Sequence, residues 1–128
     1  MKVLLPILLL ISSLPAVASG LPKWVNAEAA RLYAEAALVE WSAFSYPRLD
    51  RDRLSSKPLI LARTGSGGEK IVQVVYRAGR GSYVVTMVVD SDGFLRVFGR
   101  LATIDTPEVI AKRFYDPAFD PSSLLEMG

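Results

Sequence analysis

The sequence predicts an α+β domain with one long N-terminal helix packed on a four-stranded antiparallel meander, followed by a short C-terminal helix. Residues 27–44 are rich in Ala, Leu and Glu, which favour a helix. After residue 58 the composition changes to four runs rich in Val, Ile, Tyr and Phe, which favour strands. Glycine-rich turn segments separate the runs, and such short connections place consecutive strands side by side and antiparallel.

Residues 1–18 have the pattern of a secretory signal peptide. Lys2 precedes an apolar run, and Ala16-Val17-Ala18 supplies the small residues of a cleavage site. The run is shorter than the roughly 20 residues that a bilayer span needs. We therefore predict a periplasmic or secreted protein with no stable membrane span after processing, in which residues 19–128 form a single domain.

Composition and charge reduce the number of functions that the protein can have. The 128 residues include 15 Lys and Arg, 13 Asp and Glu, and no His or Cys. Removing the leader takes only Lys2, so the net charge stays near zero, which makes nucleic acid an unexpected partner. Without His or Cys the chain lacks the commonest general base and the usual zinc ligands. We therefore predict a non-enzymatic protein without metal or cofactor.

The predicted N-terminal helix begins after Asn26, a good N-cap residue. Glu28 and Glu35 are spaced to pair with Arg31 on a polar arc. On a helical wheel the expected buried face comprises Ala29, Leu32, Tyr33, Ala36, Val39, Ala43 and Phe44.

Glu40 falls within that expected apolar face. Burial would raise the pKa of its carboxyl group, as a catalytic acid requires. The alternative is that Glu40 reaches solvent or pairs with an arginine of the sheet such as Arg63.

The strands are predicted at residues 59–63, 69–77, 82–89 and 94–104. The third has no polar side, so both sheet faces need a cover, which the C-terminal helix or a second copy of the chain would provide. That helix is predicted from Thr106-Pro107-Glu108, with Asp116-Pro117 ending it and one more turn near residue 120.

The last strand alternates between two kinds of residue. Leu95, Val97 and Leu101 are expected to face the core, with Gly99 allowing the helix to approach closely. The other face then combines aromatic rings and cations, namely Phe94, Arg96, Phe98 and Arg100. Such a face can stack on single-stranded nucleic acid. For an exported, nearly neutral protein we expect a protein or peptide partner instead.

The second candidate surface is the hairpin YRAGRGSY at residues 76–83. Arg77, Arg80 and Tyr83 would form an exposed wedge, because glycines let the tip approach a partner closely. The alternative is an ordinary turn with solubilising cations.

The order of helix and meander over residues 26–104 resembles the cystatin-like architecture. Gln73-Val74-Val75-Tyr76-Arg77 is similar to the Gln-x-Val-x-Gly motif of the cysteine-protease inhibitors in that group, with Arg77 in place of the glycine. The resemblance implies a binding or inhibitory role. The order also resembles NTF2-like domains, which implies a pocket lined by Glu40, Tyr33 and Arg96.

Together these features predict an exported, non-enzymatic binding protein of the inhibitor or immunity type, which acts on a protein partner. Its predicted binding residues are Arg77, Arg80, Tyr83, Phe94, Arg96, Phe98 and Arg100. The alternative is an NTF2-like small-ligand binder or carboxylate-dependent enzyme with a pocket near Glu40. A homo-oligomer is a further alternative, with the second sheet face as its interface.

Overall fold

A computed structural model describes residues 20–43 and 57–126 of the chain. The predicted signal peptide at 1–18, Phe44 and most of the polar stretch at 48–58 lie outside the described residues. The elements are α1 (Ala27–Ala43), β1 (Leu59–Thr64), β2 (Lys70–Ala78), β3 (Gly81–Val89), β4 (Leu95–Thr103), α2 (Pro107–Phe114) and a 3₁₀ helix (Pro121–Glu126). This α+β order confirms the predicted layout.

The four strands form one antiparallel sheet in the order β1-β2-β3-β4, the predicted meander. Ala78 pairs with Gly81, so the β2–β3 connection is a two-residue turn of Gly79 and Arg80. Gly79 has φ +60°, a value that glycine adopts without steric cost and that such hairpin turns favour at this position.

Helix α1 begins where the sequence predicts, with the N–H of Ala29 donating to Asn26 Oδ1 at 3.0 Å. Arg31 pairs with Glu28 at 2.7 Å and with Glu35 at 2.6 Å. The predicted buried face, however, is wrong. The buried side chains are those of Ala30, Ala34, Ala37 and Leu38, whereas Leu32, Tyr33 and Val39 are exposed. A face made mostly of alanines lets the helix backbone approach the sheet closely, and the larger side chains remain outside.

Each face of the sheet has its own apolar cluster. On the α1 face, the helix packs on side chains of β1, β2 and β3, namely Ala62, Val72, Val74, Tyr76, Val85 and Met87. On the opposite face, α2 packs with Ile110, Ala111 and Phe114 against Leu61, Ile71, Val75 and Val84. From β3, the cluster on the α2 face includes Val84. The C-terminal helix supplies the second cover over β1 and β2.

The C-terminal segment is fixed to β1 by side-chain hydrogen bonds. The hydroxyl of Thr106 caps α2 by accepting from the N–H of Val109 at 3.3 Å. Arg63 Nη1 donates to the carbonyl oxygens of Phe114, Asp116 and Phe119 at 2.7, 3.1 and 3.0 Å. Arg63 therefore holds the C-terminal segment and is not the partner of Glu40.

A second set of bonds joins the β1–β2 turn to the 3₁₀ helix. Asp120 Oδ1 accepts from the N–H groups of Ser66 and Ser122, each at 3.0 Å, and Oδ2 accepts from the Ser66 hydroxyl. The Ser66 side chain, followed by these backbone N–H groups, holds the pKa of Asp120 below its ordinary value. Asp120 thus fastens the end of the domain as an ionised carboxylate.

A β-bulge interrupts β4 and changes which residues share a face. Thr86 pairs with Gly99 and Met87 with Val97, so Phe98 is an extra residue without a partner on β3. Beyond the bulge the alternation of side chains is shifted by one position. The bulge decides the geometry of the candidate binding surface.

Candidate functional site

The predicted aromatic and cationic face of β4 does not exist as one surface. Arg96 pairs with Val88 and Arg100 pairs with Val85, and these two β3 residues lie on opposite sides of the sheet. Arg100 therefore lies on the α1 face and Arg96 on the α2 face. Phe94 precedes the strand and is 67% exposed, and Phe98 is 41% exposed at the bulge. The period-two prediction fails because one extra residue inverts the alternation.

The expected core face of β4 is also only partly formed. Leu95 packs against the α1-side cluster, but Val97 is exposed. Leu101 lies beyond the bulge on the opposite face and is exposed as well. A Cβ atom added at Gly99 would have no neighbour within 4 Å, so this glycine does not serve a close approach of the helix.

An open groove of about 390 Å³ runs between α1 and β4. We call it the helix–strand groove; its lining includes Tyr33, Ala36, Glu40, Val97, Phe98 and Arg100. Arg100 Nη1 donates to the carbonyl oxygen of Ala37 at 3.2 Å, which holds the guanidinium against the helix. The groove thus combines two aromatic side chains with one cation and one carboxylate.

This groove corrects the predicted pocket near Glu40. Tyr33 and Glu40 lie together as expected, but the arginine beside them is Arg100, whereas Arg96 is on the other face. Glu40 is exposed, since α1 buries the face that carries the alanines. The buried environment that a carboxylate acid catalyst relies on is therefore missing at Glu40.

A second groove, of about 260 Å³, lies beside the β2–β3 turn. We call it the hairpin groove; its lining includes Arg80, Ser82, Tyr83, Ala102, Thr103 and Ile104. Tyr83 is half-buried on the α1 face, with its ring edge-on to Trp41 at 6.1 Å between centroids. Ile104 is 92% exposed, although the sequence predicts it only as the end of a strand.

The arginines differ in how they are engaged. Arg77 Nη2 contacts both carboxylate oxygens of Glu108, at 2.7 Å for Oε2, and so ties β2 to α2. Arg96 Nε donates to Asp90 Oδ2 at 3.1 Å. Among the described residues, Arg80 has no hydrogen-bonded or ion-pair partner. Of the predicted cations, Arg80 in the β2–β3 turn and Arg100 on the α1 face therefore keep donors that no carboxylate occupies.

Asp90 organises the turn before β4. Its Oδ1 accepts from the N–H groups of Phe94 at 3.0 Å and Asp92 at 2.9 Å. The Phe94 N–H is the main reason that the pKa of Asp90 lies below its ordinary value, with Asp92 and Arg96 adding to the effect. Arg96 thus helps to stabilise the turn before β4 through its ion pair with Asp90.

The five residues similar to the protease-inhibitor motif lie inside β2. Gln73 is buried on the α2 face and donates from Nε2 to Thr86 Oγ1 at 3.1 Å. Val74, Val75 and Tyr76 are buried as well, so only Arg77 of the five is exposed. Tyr76, the first residue of the hairpin sequence YRAGRGSY, is therefore part of the core and not of an exposed wedge.

Comparison of the chain with protein-family models, curated proteins and solved structures gave no match. Within residues 20–43 and 57–126, no helix combines the length and apolarity needed to span a membrane. The same residues contain no group of three acidic side chains placed to hold a metal ion.

Two residues that line the hairpin groove, Ala102 and Ile104, are absent from the predicted binding site. Tyr33 is predicted both on the core face of α1 and in the pocket near Glu40, and it lies in the helix–strand groove. Ala102 and Ile104 carry no chemical signal of their own. The bulge sets the face on which Ala102 lies, and Ile104 follows the end of β4 beside the same groove.

Proposed function

We propose that this chain is an exported, non-enzymatic protein that binds a protein partner, as an inhibitor or immunity-type protein does. The binding surface is the β4 flank, which we define as the helix–strand groove, the hairpin groove and the strand segment between them. The observation that carries the proposal is that Tyr33, Phe98 and Arg100 meet around one open groove. Tyr and Arg, together with Trp, are enriched among the interface residues that contribute most to binding.

The exposed apolar side chains on this flank support a macromolecular partner. Single exposed apolar residues are ordinary on a protein surface, but contiguous groups of them mark interaction sites. Tyr33, Val97 and Phe98 are exposed around the first groove, and Ile104 is exposed at the second. Arg100 lies between them and supplies a cation with several free donors.

The same geometry favours protein over nucleic acid. A strand face that stacks bases needs aromatic rings and cations on one side of the sheet. Here the bulge separates Arg96 from Arg100, and Arg77 and Arg96 are paired with carboxylates. The chain also carries 15 cations against 13 acidic residues, which gives little attraction for a polyanion.

A second candidate function is the binding of a small ligand in the helix–strand groove. Its volume of about 390 Å³ is that of a small-molecule site, and Tyr33, Glu40 and Arg100 offer polar groups around apolar side chains. An NMR screen of small organic acids and amines would support it if shifts cluster at these three residues. Shifts scattered over the surface would count against it.

Photo-crosslinking tests the protein-partner proposal. Benzoylphenylalanine replaces Phe98 on the β4 flank, and the matched control replaces Lys112, which is exposed on α2 across the sheet. We expect one exported protein to crosslink from position 98 and not from position 112, and to bind the purified chain in a defined ratio. Equal crosslinking from both positions, or none from position 98, would refute the surface.

The export part of the proposal has its own test. N-terminal sequencing of the protein recovered from outside the cytoplasm should begin at Ser19, because the predicted cleavage follows Ala18. Recovery of the whole protein in the cytoplasm with Met1 intact would contradict export.

A further inference from the structure

The two edge strands of the sheet, β1 and β4, differ in what hydrogen-bonds to their outer side. On β1, the outward N–H of Ala62 donates to the hydroxyl of Tyr115 at 3.0 Å, and Arg63 holds the C-terminal segment beside the strand. On β4, no further strand pairs with the outer edge within the described residues. Since an unpaired strand edge is a template for another strand, β4 is the edge on which one can add.

The hydrogen-bonding direction along β4 follows from the turn before it. The N–H of Asp90 donates to the carbonyl oxygen of Phe94 at 2.9 Å. Because backbone hydrogen bonds alternate along a strand, the even-numbered residues of β3 direct their N–H and C=O groups toward β4. Their partners on β4 beyond the bulge are Gly99, Leu101 and Thr103. The intervening residues, Arg100 and Ala102, therefore turn their N–H and C=O groups outward. No described residue hydrogen-bonds to these outward backbone groups.

The side chains of the same two residues point to the α1 face, because they pair with Val85 and Tyr83. Arg100 lines the helix–strand groove and Ala102 lines the hairpin groove. A strand hydrogen-bonded at Arg100 and Ala102 would place two of its side chains on this face about 7 Å apart. Each of the two would lie beside one groove.

We propose that an extended segment of the protein partner adds to β4 as a fifth strand, hydrogen-bonded at Arg100 and Ala102. The inference rests on the proposed function and specifies how the partner is held. The partner segment carries an acidic residue opposite Arg100 and an apolar residue two positions away, opposite Ala102. Opposite charges directly across two strands attract, and the second groove offers Tyr83 and Ile104 to an apolar side chain.

Charge decides between this partner and a second copy of the chain. From Phe94 to Ile104 the strand and its ends carry Arg96 and Arg100 and no carboxylate. Arg96 is already paired with Asp90 and lies on the α2 face, so a second β4 would bring another Arg100 to this face and no carboxylate of its own. An acidic segment instead supplies a carboxylate to the donors of Arg100 that Ala37 does not use.

The probe is a randomised twelve-residue peptide library displayed on phage and selected on the full chain. We expect the enriched peptides to place Asp or Glu two positions from an apolar residue. Bound to such a peptide, the N–H groups of Arg100 and Ala102 should exchange more slowly with solvent. Failure to enrich any peptide, or slower exchange elsewhere only, would overturn the proposal.

Two matched pairs of variants sharpen the test. Ala102→Pro removes one outward N–H and should abolish peptide binding, whereas Thr64→Pro, the same change on the β1 edge, should leave it intact. Arg100→Glu should weaken binding by about tenfold or more, because it replaces attraction with repulsion, and Arg96→Glu on the other face should not. Equal effects within either pair would contradict the fifth strand.

Two further outcomes separate the explanations. If the partner crosslinked from position 98 still binds the Ala102→Pro variant, the proposed function stands and the fifth strand is wrong. If light scattering shows a dimer of the unaltered chain that Ala102→Pro dissociates, a second copy occupies the edge and the proposal is overturned.

Discussion

Two leucines on α1 give opposite predictions for the same substitution. Leu38 is 0% exposed in the α1-side cluster, whereas Leu32 is 49% exposed on the same helix. Leu→Ala removes three carbon groups, each contributing about 0.8 kcal/mol when buried. Adding the cavity left behind, Leu38→Ala should lower the free energy of unfolding by about 3–5 kcal/mol, against a change of about 0.5 kcal/mol or less for Leu32→Ala.

Urea unfolding followed by circular dichroism measures both values on the purified protein. A domain of this size has a free energy of unfolding of about 5–15 kcal/mol, so the Leu38→Ala loss is readily detected. The corresponding fall in Tm is about 10 °C or more. The two variants share the same change in helix propensity, so their difference reports burial alone. If Leu32→Ala proved the more destabilising, the assignment of the buried face of α1 would be refuted.

Three other substitutions test the parts of the fold that position the β4 flank. Arg63→Ala removes three hydrogen bonds to carbonyl oxygens and should cost about 2 kcal/mol, with faster proteolysis after α2; an unchanged cutting rate would contradict its role. Asp120 has a pKa below its ordinary value, so its contribution to stability is present above the pKa of the unfolded chain and is lost as pH falls through the folded value. Asp120→Asn should therefore flatten the acid side of a stability–pH curve measured by urea unfolding, and parallel curves would count against the ionised contact. Gly81→Ala would push a Cβ atom into a backbone carbonyl of β4 and should cost about 1–3 kcal/mol, whereas Gly99→Ala meets nothing and should cost less than 1 kcal/mol; equal losses would show that the contact is absent.

The sequence predicts the elements of this fold well because its turns are chemically distinct. Glycine-rich segments separate the four strands, and the cap at Thr106 with Pro107 marks the start of α2. The strand order follows from the short connections, since these leave no room for a crossover. Element positions and the meander therefore needed no three-dimensional information.

The buried face of α1 could not be read from its periodicity. Apolar residues occupy most of the helix circumference, so the wheel favoured the face with the largest side chains. The sheet instead selects the face with Ala30, Ala34 and Ala37, because small side chains allow close packing. This choice depends on the distance between two elements, which a single helix does not encode.

The candidate site was predicted in part for a similar reason. Phe98, Arg100, Arg80 and Tyr83 do lie along the β4 flank. Arg96 does not lie there, because the bulge at Phe98 inverts the alternation of side chains between Arg96 and Arg100. A bulge adds one residue to a strand without any marked change in composition, so period-two reasoning passes over it.

The central claim is that a protein partner binds to specific residues of the β4 flank, and that the net charge of the protein does not account for the binding. Isothermal titration calorimetry with the purified partner that crosslinking identifies can compare two double variants, each of which removes two arginines. The first combines Arg80→Ala with Arg100→Ala, and the second combines Arg77→Ala with Arg96→Ala. We predict that the first pair weakens binding by about tenfold or more, and that the second changes it by about twofold or less. Equal losses, or a larger loss from the second pair, would contradict the claim.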